Sequence, residues 1–226
     1  MAEALSIVPF ILKWEGGLSK DPSDSASKDP APCSYKGVNG YHTNKGITYT
    51  TFKALASPLK YSDDCDTFFK MPEEVFLKIF KNGYWNSYLL DQYKSQRIAN
   101  LVVSWSWASG LAGSYRQIRK YVEAKGVDLP DKFNSVGVKM LVEYFNNLSV
   151  SGEAKAYTDL VQAYKDFYIR LNQPKFIKGW LNRLQDLVST SAEAVASTVK
   201  KNPIKSVAIL GATVFIMYKL SREVKL

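Results

Sequence analysis

The stretch Ser95 to Ala108 (SQRIANLVVSWSWA) constrains the fold more than any other part of the chain, because it is dense in apolar and aromatic residues. A helix of that composition belongs in an interior, so other elements have to pack around it. Ser109-Gly110 then supplies a stop signal. The neighbouring segments carry the same period. Pro72-Glu73-Glu74 opens a helix through about Tyr84, with proline near the first position and acids in the first turn. Ser114 to Ala124, Asn134 to Asn147 and Glu153 to Leu171 read as further helices. Phe176, Trp180, Leu181, Leu184 and Leu187 make an apolar stripe over Phe176 to Leu187. Near the N-terminus, Leu5, Val8, Ile11 and Leu12 fall at helical spacing, so Glu15 ends or closely follows a first helix. The expected class is mainly α. A small β or irregular region interrupts it: Lys20 to Asn44 is a long loop rich in Asp, Pro, Ser, Gly and Lys, and Gly46 to Phe52 (GITYTTF) suits a short strand or turn leading into a helix.

Charge narrows the partners. Thirty Lys and Arg against 21 Asp and Glu give a net charge of +9, which favours a polyanion: nucleic acid, an anionic membrane surface, or the carboxylates and teichoic acids of a cell wall. The basic residues are spread through the helices and form no block, which argues against nucleic acid. The one histidine, His42, cannot make a metal site alone, and neither a CxxC nor a Cys/His cluster is present, so no metal and no cofactor is expected. No GxSxG occurs, which disfavours serine hydrolysis. Cys33 and Cys65 are free to pair in an oxidising compartment, but nothing else in the sequence calls for the bond.

The two ends differ in character. The N-terminal MAEALSIVPFILKWEGG lacks a basic n-region and a small-residue cleavage site, so no cleavable signal peptide is expected. At the other end Val188 to Lys201 is small and polar, which suits a surface helix or a linker. Ser206 to Tyr218 is uncharged and mostly apolar between Lys205 and Lys219. Thirteen such residues are short of the roughly 20 that span a bilayer, and snorkelling lysines extend the segment to Ile204–Leu220. The expected organisation is a catalytic domain over 1–187, a linker over 188–202, and a membrane-associating helix with a short basic tail over 203–226.

A glycosidase needs a carboxylic acid beside the scissile oxygen and usually a second carboxylate that stays ionised. Glu15 suits the first role, because Gly16 and Gly17 leave room above it for a sugar ring. Asp21, Asp24 and Asp29 in the following loop are available for the second. Trp14 and Tyr41, beside the glycine-bearing segments, are the candidates for stacking on a sugar. Trp85, Trp105, Trp107 and Trp180 read as core, and His42 as a hydrogen-bonding loop residue.

The runs Lys13-Trp14-Glu15-Gly16-Gly17, Asp21-Pro22-Ser23-Asp24 and Thr43-Asn44-Lys45-Gly46-Ile47-Thr48 resemble the signature of glycoside hydrolase family 108. Gly83-Tyr84-Trp85, Ile98 to Gly110 and Phe176 to Leu187 are similar to later elements of that family, in the right order. The resemblance implies a lysozyme-like helical fold, hydrolysis of the β-1,4 bond between N-acetylmuramic acid and N-acetylglucosamine in peptidoglycan, and Glu15 as the catalytic acid. It also implies a phage or prophage lytic enzyme, working in an infected bacterial cell or carried with other virion proteins. Asp24 is preferred over Asp21 as the second carboxylate, because its spacing from Glu15 resembles that of phage-type lysozymes, and Asp21-Pro22 is as easily a turn former. Thr48 resembles the threonine that places the attacking water in those enzymes; an ordinary strand residue is its alternative.

Two departures stand out: the loop is enlarged by Ser25 to His42, and Ser104 and Ala108 replace the Asp and Asn of many family members. They keep open a structural virion or membrane protein that has lost activity; a lytic transglycosylase on the same fold is a further alternative, because a lone Glu suffices there.

Overall fold

The structure, a computed structural model, describes residues 1–199. The chain is mainly helical with one small sheet, consistent with a lysozyme-like domain, and it divides into two compact units, Ala4–Ser87 and a second made of Met1–Glu3 with the chain from Tyr88 onward.

The first unit begins with a 3-10 turn and α1 (Val8–Trp14), started by Pro9 in its first turn. Three two-residue strands follow: β1 (Leu18–Ser19), β2 (Thr43–Asn44) and β3 (Ile47–Thr48), antiparallel in the order β1-β2-β3. The β2–β3 turn is Lys45-Gly46, with φ of +47° and +78°. Both central residues are left-handed, as the twist of a two-residue hairpin demands. The Asn44 side chain is buried and donates to the carbonyls of Phe68 and Phe69 at 2.7 and 3.0 Å, which anchors the hairpin on α3 (Cys65–Lys70). Thr48 caps α2 (Tyr49–Ala56) and Asp64 caps α3; Ser62 and Thr67 donate to the Asp64 carboxylate and hold it below its usual range. Tyr49, Phe52, Phe68 and Phe69 pack ring on ring between α2 and α3. Then α4 (Glu73–Phe80) runs into a single π-turn over Lys81–Trp85. The helix expected through Tyr84 therefore changes its winding after Phe80.

The sequence left the pairing of Cys33 and Cys65 open. Cys33 and Cys65 form a disulfide, with Cα atoms 6.3 Å apart, that ties the enlarged loop to the start of α3. The pairing depends on how the loop folds back on α3, which residue spacing does not express.

In the second unit α5 (Gln96–Ser109) is the interior helix foreseen from its composition, capped by Ser95 and buried from Arg97 through Trp107. Around it pack α6 (Leu111–Glu123), α8 (Val150–Arg170) and α9 (Pro174–Val199), with α7 (Ser135–Asn146) completing the unit. Trp105 stacks on Tyr164 with centroids 4.4 Å apart, and Tyr168 stacks on Trp180 at 5.1 Å. Trp85, Trp105 and Trp107 are core residues as expected, whereas Trp180 is only half-buried. Arg97, nearly inaccessible, is neutralised by Glu153, which also accepts from Ser95. A buried charge is tolerable only when matched in this way.

The boundary expected at 187 falls inside α9, where burial continues past Leu184 and Leu187 to Val188 and Ser191. The membrane helix expected over 203–226 lies outside the described residues. Among those described, no helix is long and apolar enough to cross a membrane.

Candidate active site

All the candidate site residues taken from the sequence lie in the first unit. Helix α1 ends at Trp14, and Glu15 is its C-cap: the backbone turns extended there (φ −93°, ψ 117°) while its N–H still donates to the Ile11 carbonyl at 2.9 Å. The carboxylate is thereby carried on the rim of a rigid helix, half-buried.

Gly16 and Gly17 follow, both exposed. Neither has a left-handed backbone, and a Cβ built on either would meet no atom within 4 Å. Neither conformation nor internal packing requires glycine at these two positions. The bare backbone faces open space beside Glu15, where a ligand can approach.

From Gly17 the chain enters the sheet. The Gly17 carbonyl accepts from Lys45 N–H at 3.3 Å, and Leu18 and Ser19 pair with Asn44 and Thr43. The Glu-Gly-Gly segment and the Thr43–Thr48 hairpin are thus joined by one ladder. His42, fully buried, fastens the third motif to them: Nε2 lies 3.2 Å from the Asp21 carbonyl and Nδ1 2.9 Å from the Thr43 hydroxyl. A carbonyl only accepts, so in the neutral ring Nε2 carries the hydrogen and Nδ1 accepts from Thr43. The hydrogen-bonding loop role expected of His42 is what the geometry gives it.

The two carboxylates of the Asp-Pro-Ser-Asp turn serve that turn. Asp21 Oδ1 accepts from the Ser23 amide and hydroxyl at 2.9 and 2.6 Å, and Asp24 Oδ1 accepts from Ala26 N–H at 3.0 Å as the cap of the 3-10 turn Ser25–Lys28. Asp24 is exposed. Asp29 accepts from the Thr50 hydroxyl.

Thr48 is the N-cap of α2: its Oγ1 accepts from Thr51 N–H at 3.1 Å, and its hydroxyl donates to Thr51 Oγ1 at 2.9 Å. The Thr51 hydroxyl in turn bonds the phenol of Tyr84. Burial pushes that phenol above its ordinary range, the Glu15 charge adds to the rise, and the Thr51 bond draws it back. Tyr84 thus joins the row of hydroxyls that begins at the cap of α2, and it feels the charge of Glu15, 69 positions away in the chain. Sequence reasoning missed both Thr51 and Tyr84. Tyr84 stood out there only as part of Gly83-Tyr84-Trp85, and no periodicity marks a π-turn.

Of the aromatic candidates, Trp14 is half-buried with the Lys13 ammonium 5.9 Å from its ring. Tyr41 sits in a cluster with Tyr35 and Phe69, at 6.3 and 6.1 Å between centroids, and the Lys20 ammonium lies 6.0 Å from its ring. Among the described residues, no group of His, Cys, Asp and Glu is arranged to hold a metal.

A carboxyl group held on a helix rim above open backbone meets the first requirement of glycoside hydrolysis, an acid beside the scissile oxygen. Residues 8–110, a little under half of the chain, match the family model described as Glycosyl hydrolase 108, and this match marks the chain as a glycoside hydrolase. The match spans Glu15 and every other residue of the site. The structure of Brucella abortus SagA shares the fold with a TM-score of 0.56 at 18% identity, over 84% of this chain and 94% of that one. No curated protein matches the chain.

Proposed function

We propose that the protein is an N-acetylmuramidase that hydrolyses the β-1,4 bond between N-acetylmuramic acid and N-acetylglucosamine in bacterial peptidoglycan, with Glu15 as general acid. The observation that carries this reading is the pairing of a half-buried glutamate with two glycines that nothing within the chain explains. The open backbone at Gly16 and Gly17 takes the sugar ring, and Trp14 and Tyr41 offer rings and neighbouring ammonium groups to the glycan and its carboxylates. Glu15 protonates the leaving oxygen. Asp24, exposed and ionisable in the adjoining loop, is the second carboxylate, and Thr48 assists the attacking water. Net charge supports a polyanionic wall as substrate.

The test is turbidity loss of purified peptidoglycan by the full chain beside Glu15→Gln. We expect activity that falls at least a hundredfold in the variant, as the loss of a general acid requires. Activity undiminished in Glu15→Gln would overturn the assignment. Product masses name the reaction: reducing muramic ends for hydrolysis, 1,6-anhydro ends for a lytic transglycosylase.

We further propose a phage lytic enzyme attached to a membrane or virion. The support is the apolar Ser206–Tyr218 stretch between two lysines, in a chain whose substrate lies outside the cytoplasm. Deleting residues 203–226 should move the protein from the membrane fraction to the supernatant; unchanged fractionation would remove the proposal.

A further inference from the structure

Each hydroxyl in the row from Thr48 to Tyr84 has one hydrogen to give. The Thr48 hydrogen goes to Thr51 Oγ1 at 2.9 Å. Thr51 is left with its own hydrogen for the Tyr84 oxygen, in agreement with a bond that favours the phenolate. That leaves the Tyr84 hydrogen to be donated onward, and the group whose charge it feels is Glu15. The row begins at a helix cap, where the Thr51 amide holds Thr48 Oγ1 at 3.1 Å, so its direction is set by the backbone of α2.

At its other end Tyr84 stands on the π-turn Lys81–Trp85, and π-turns commonly re-aim a side chain at a functional site. The turn lies close on α2: a Cβ at Gly83 would come within 2.7 Å of Leu55 Cδ1. Beside it Trp85 is fully buried against Phe80, which fixes the turn from the other side. A half-buried tyrosine held this firmly is built for placement.

We propose that Tyr84 is the positioning residue of this enzyme: its hydroxyl, directed by the Thr48–Thr51 pair, holds the Glu15 carboxyl in the orientation that protonates the leaving oxygen. The proposal rests on Glu15 being the acid. It gives Thr51 a part that no motif assigns, as the relay between the cap of α2 and Tyr84. Because burial raises the phenol above its ordinary range, the donor persists across the pH at which the wall is cut.

The experiment uses the full chain on purified peptidoglycan, with initial rates over a range of substrate concentrations. Tyr84→Phe should lower the maximal rate roughly tenfold and leave half-saturation unchanged, as expected when orientation and not binding is lost. Thr51→Val should lower the rate in the same way, and Thr51→Ser should restore it. The double variant Tyr84→Phe/Thr51→Val should be no slower than Tyr84→Phe alone, since both remove one chain of bonds. Full activity in Tyr84→Phe, with Glu15→Gln inactive, would overturn the positioning role and leave the acid intact. Additive losses in the double variant, or a Thr51→Ser as slow as Thr51→Val, would also overturn it. An active Glu15→Gln would remove the acid itself, a failure separate from the others.

Discussion

At the scale of single residues, the site separates groups that serve the fold from groups that the fold leaves unused. Asn44 spends its amide on two carbonyls of α3, and His42 spends both ring nitrogens on the loop, so each is consumed by structure. Gly16 and Gly17 are the opposite case, with open space where a side chain would be. Gly17→Ala should therefore leave stability within about 1 kcal/mol, because its backbone is one that alanine adopts. The same methyl should cut peptidoglycan turnover severalfold by intruding where the sugar sits. Urea unfolding beside a turbidity assay checks both halves. A large loss of stability, or unchanged turnover, would mean that the glycines are there for packing. Glu15 stood out as a candidate acid through the Glu-Gly-Gly run taken together with the family resemblance. Tyr84 did not stand out, because the charge it feels belongs to a residue 69 positions away in the chain.

At the scale of elements, the helices were legible because each carries its own signals. Ser95, Asn134 and Ser149 cap α5, α7 and α8 through side-chain oxygens, and Gly110, at φ +73°, separates α5 from α6. The enlarged loop has no such period, and its anchorage is covalent. The Cys33–Cys65 bond closes a loop of 32 residues that holds Tyr41, the hairpin and Thr48. Chain-entropy arithmetic for a loop of that size gives about 3–4 kcal/mol of stabilisation. Reducing the protein, or replacing both cysteines by serine, should lower the thermal midpoint of the first unit by several degrees. Calorimetry with and without reductant checks this; an unchanged midpoint would show that the loop is held by its hydrogen bonds and ring contacts alone.

For the whole molecule, stability at high pH follows from how many tyrosines are buried. Burial pushes Tyr157 up to about 12, and Tyr88 and Tyr93 higher still. In the unfolded chain these phenols ionise near 10. A group whose folded value is raised contributes stability that is fully present below its unfolded value and is lost as pH rises toward the folded one. The protein should therefore keep its stability up to about pH 10 and lose it steeply between about 10 and 12. Tyrosinate absorbance should then rise together with loss of helix by circular dichroism. Ionisation of all 14 tyrosines near pH 10 with the helices intact would show that the buried phenols are open to solvent.

What the sequence determined by itself is whatever repeats or caps locally: the helical periods, the burial of α5, the short strand leading into α2, and the Glu-Gly-Gly segment at the end of a first helix. These rest on interactions between near neighbours in the chain, which spacing records. Only the tertiary structure decided the Cys33–Cys65 bond, the run of α9 through the expected boundary at 187, and the row of hydroxyls from Thr48 through Thr51 to Tyr84. Each depends on where distant segments come to rest against one another. Disulfides and hydrogen bonds are decided by distance and direction in space, and residue order carries neither.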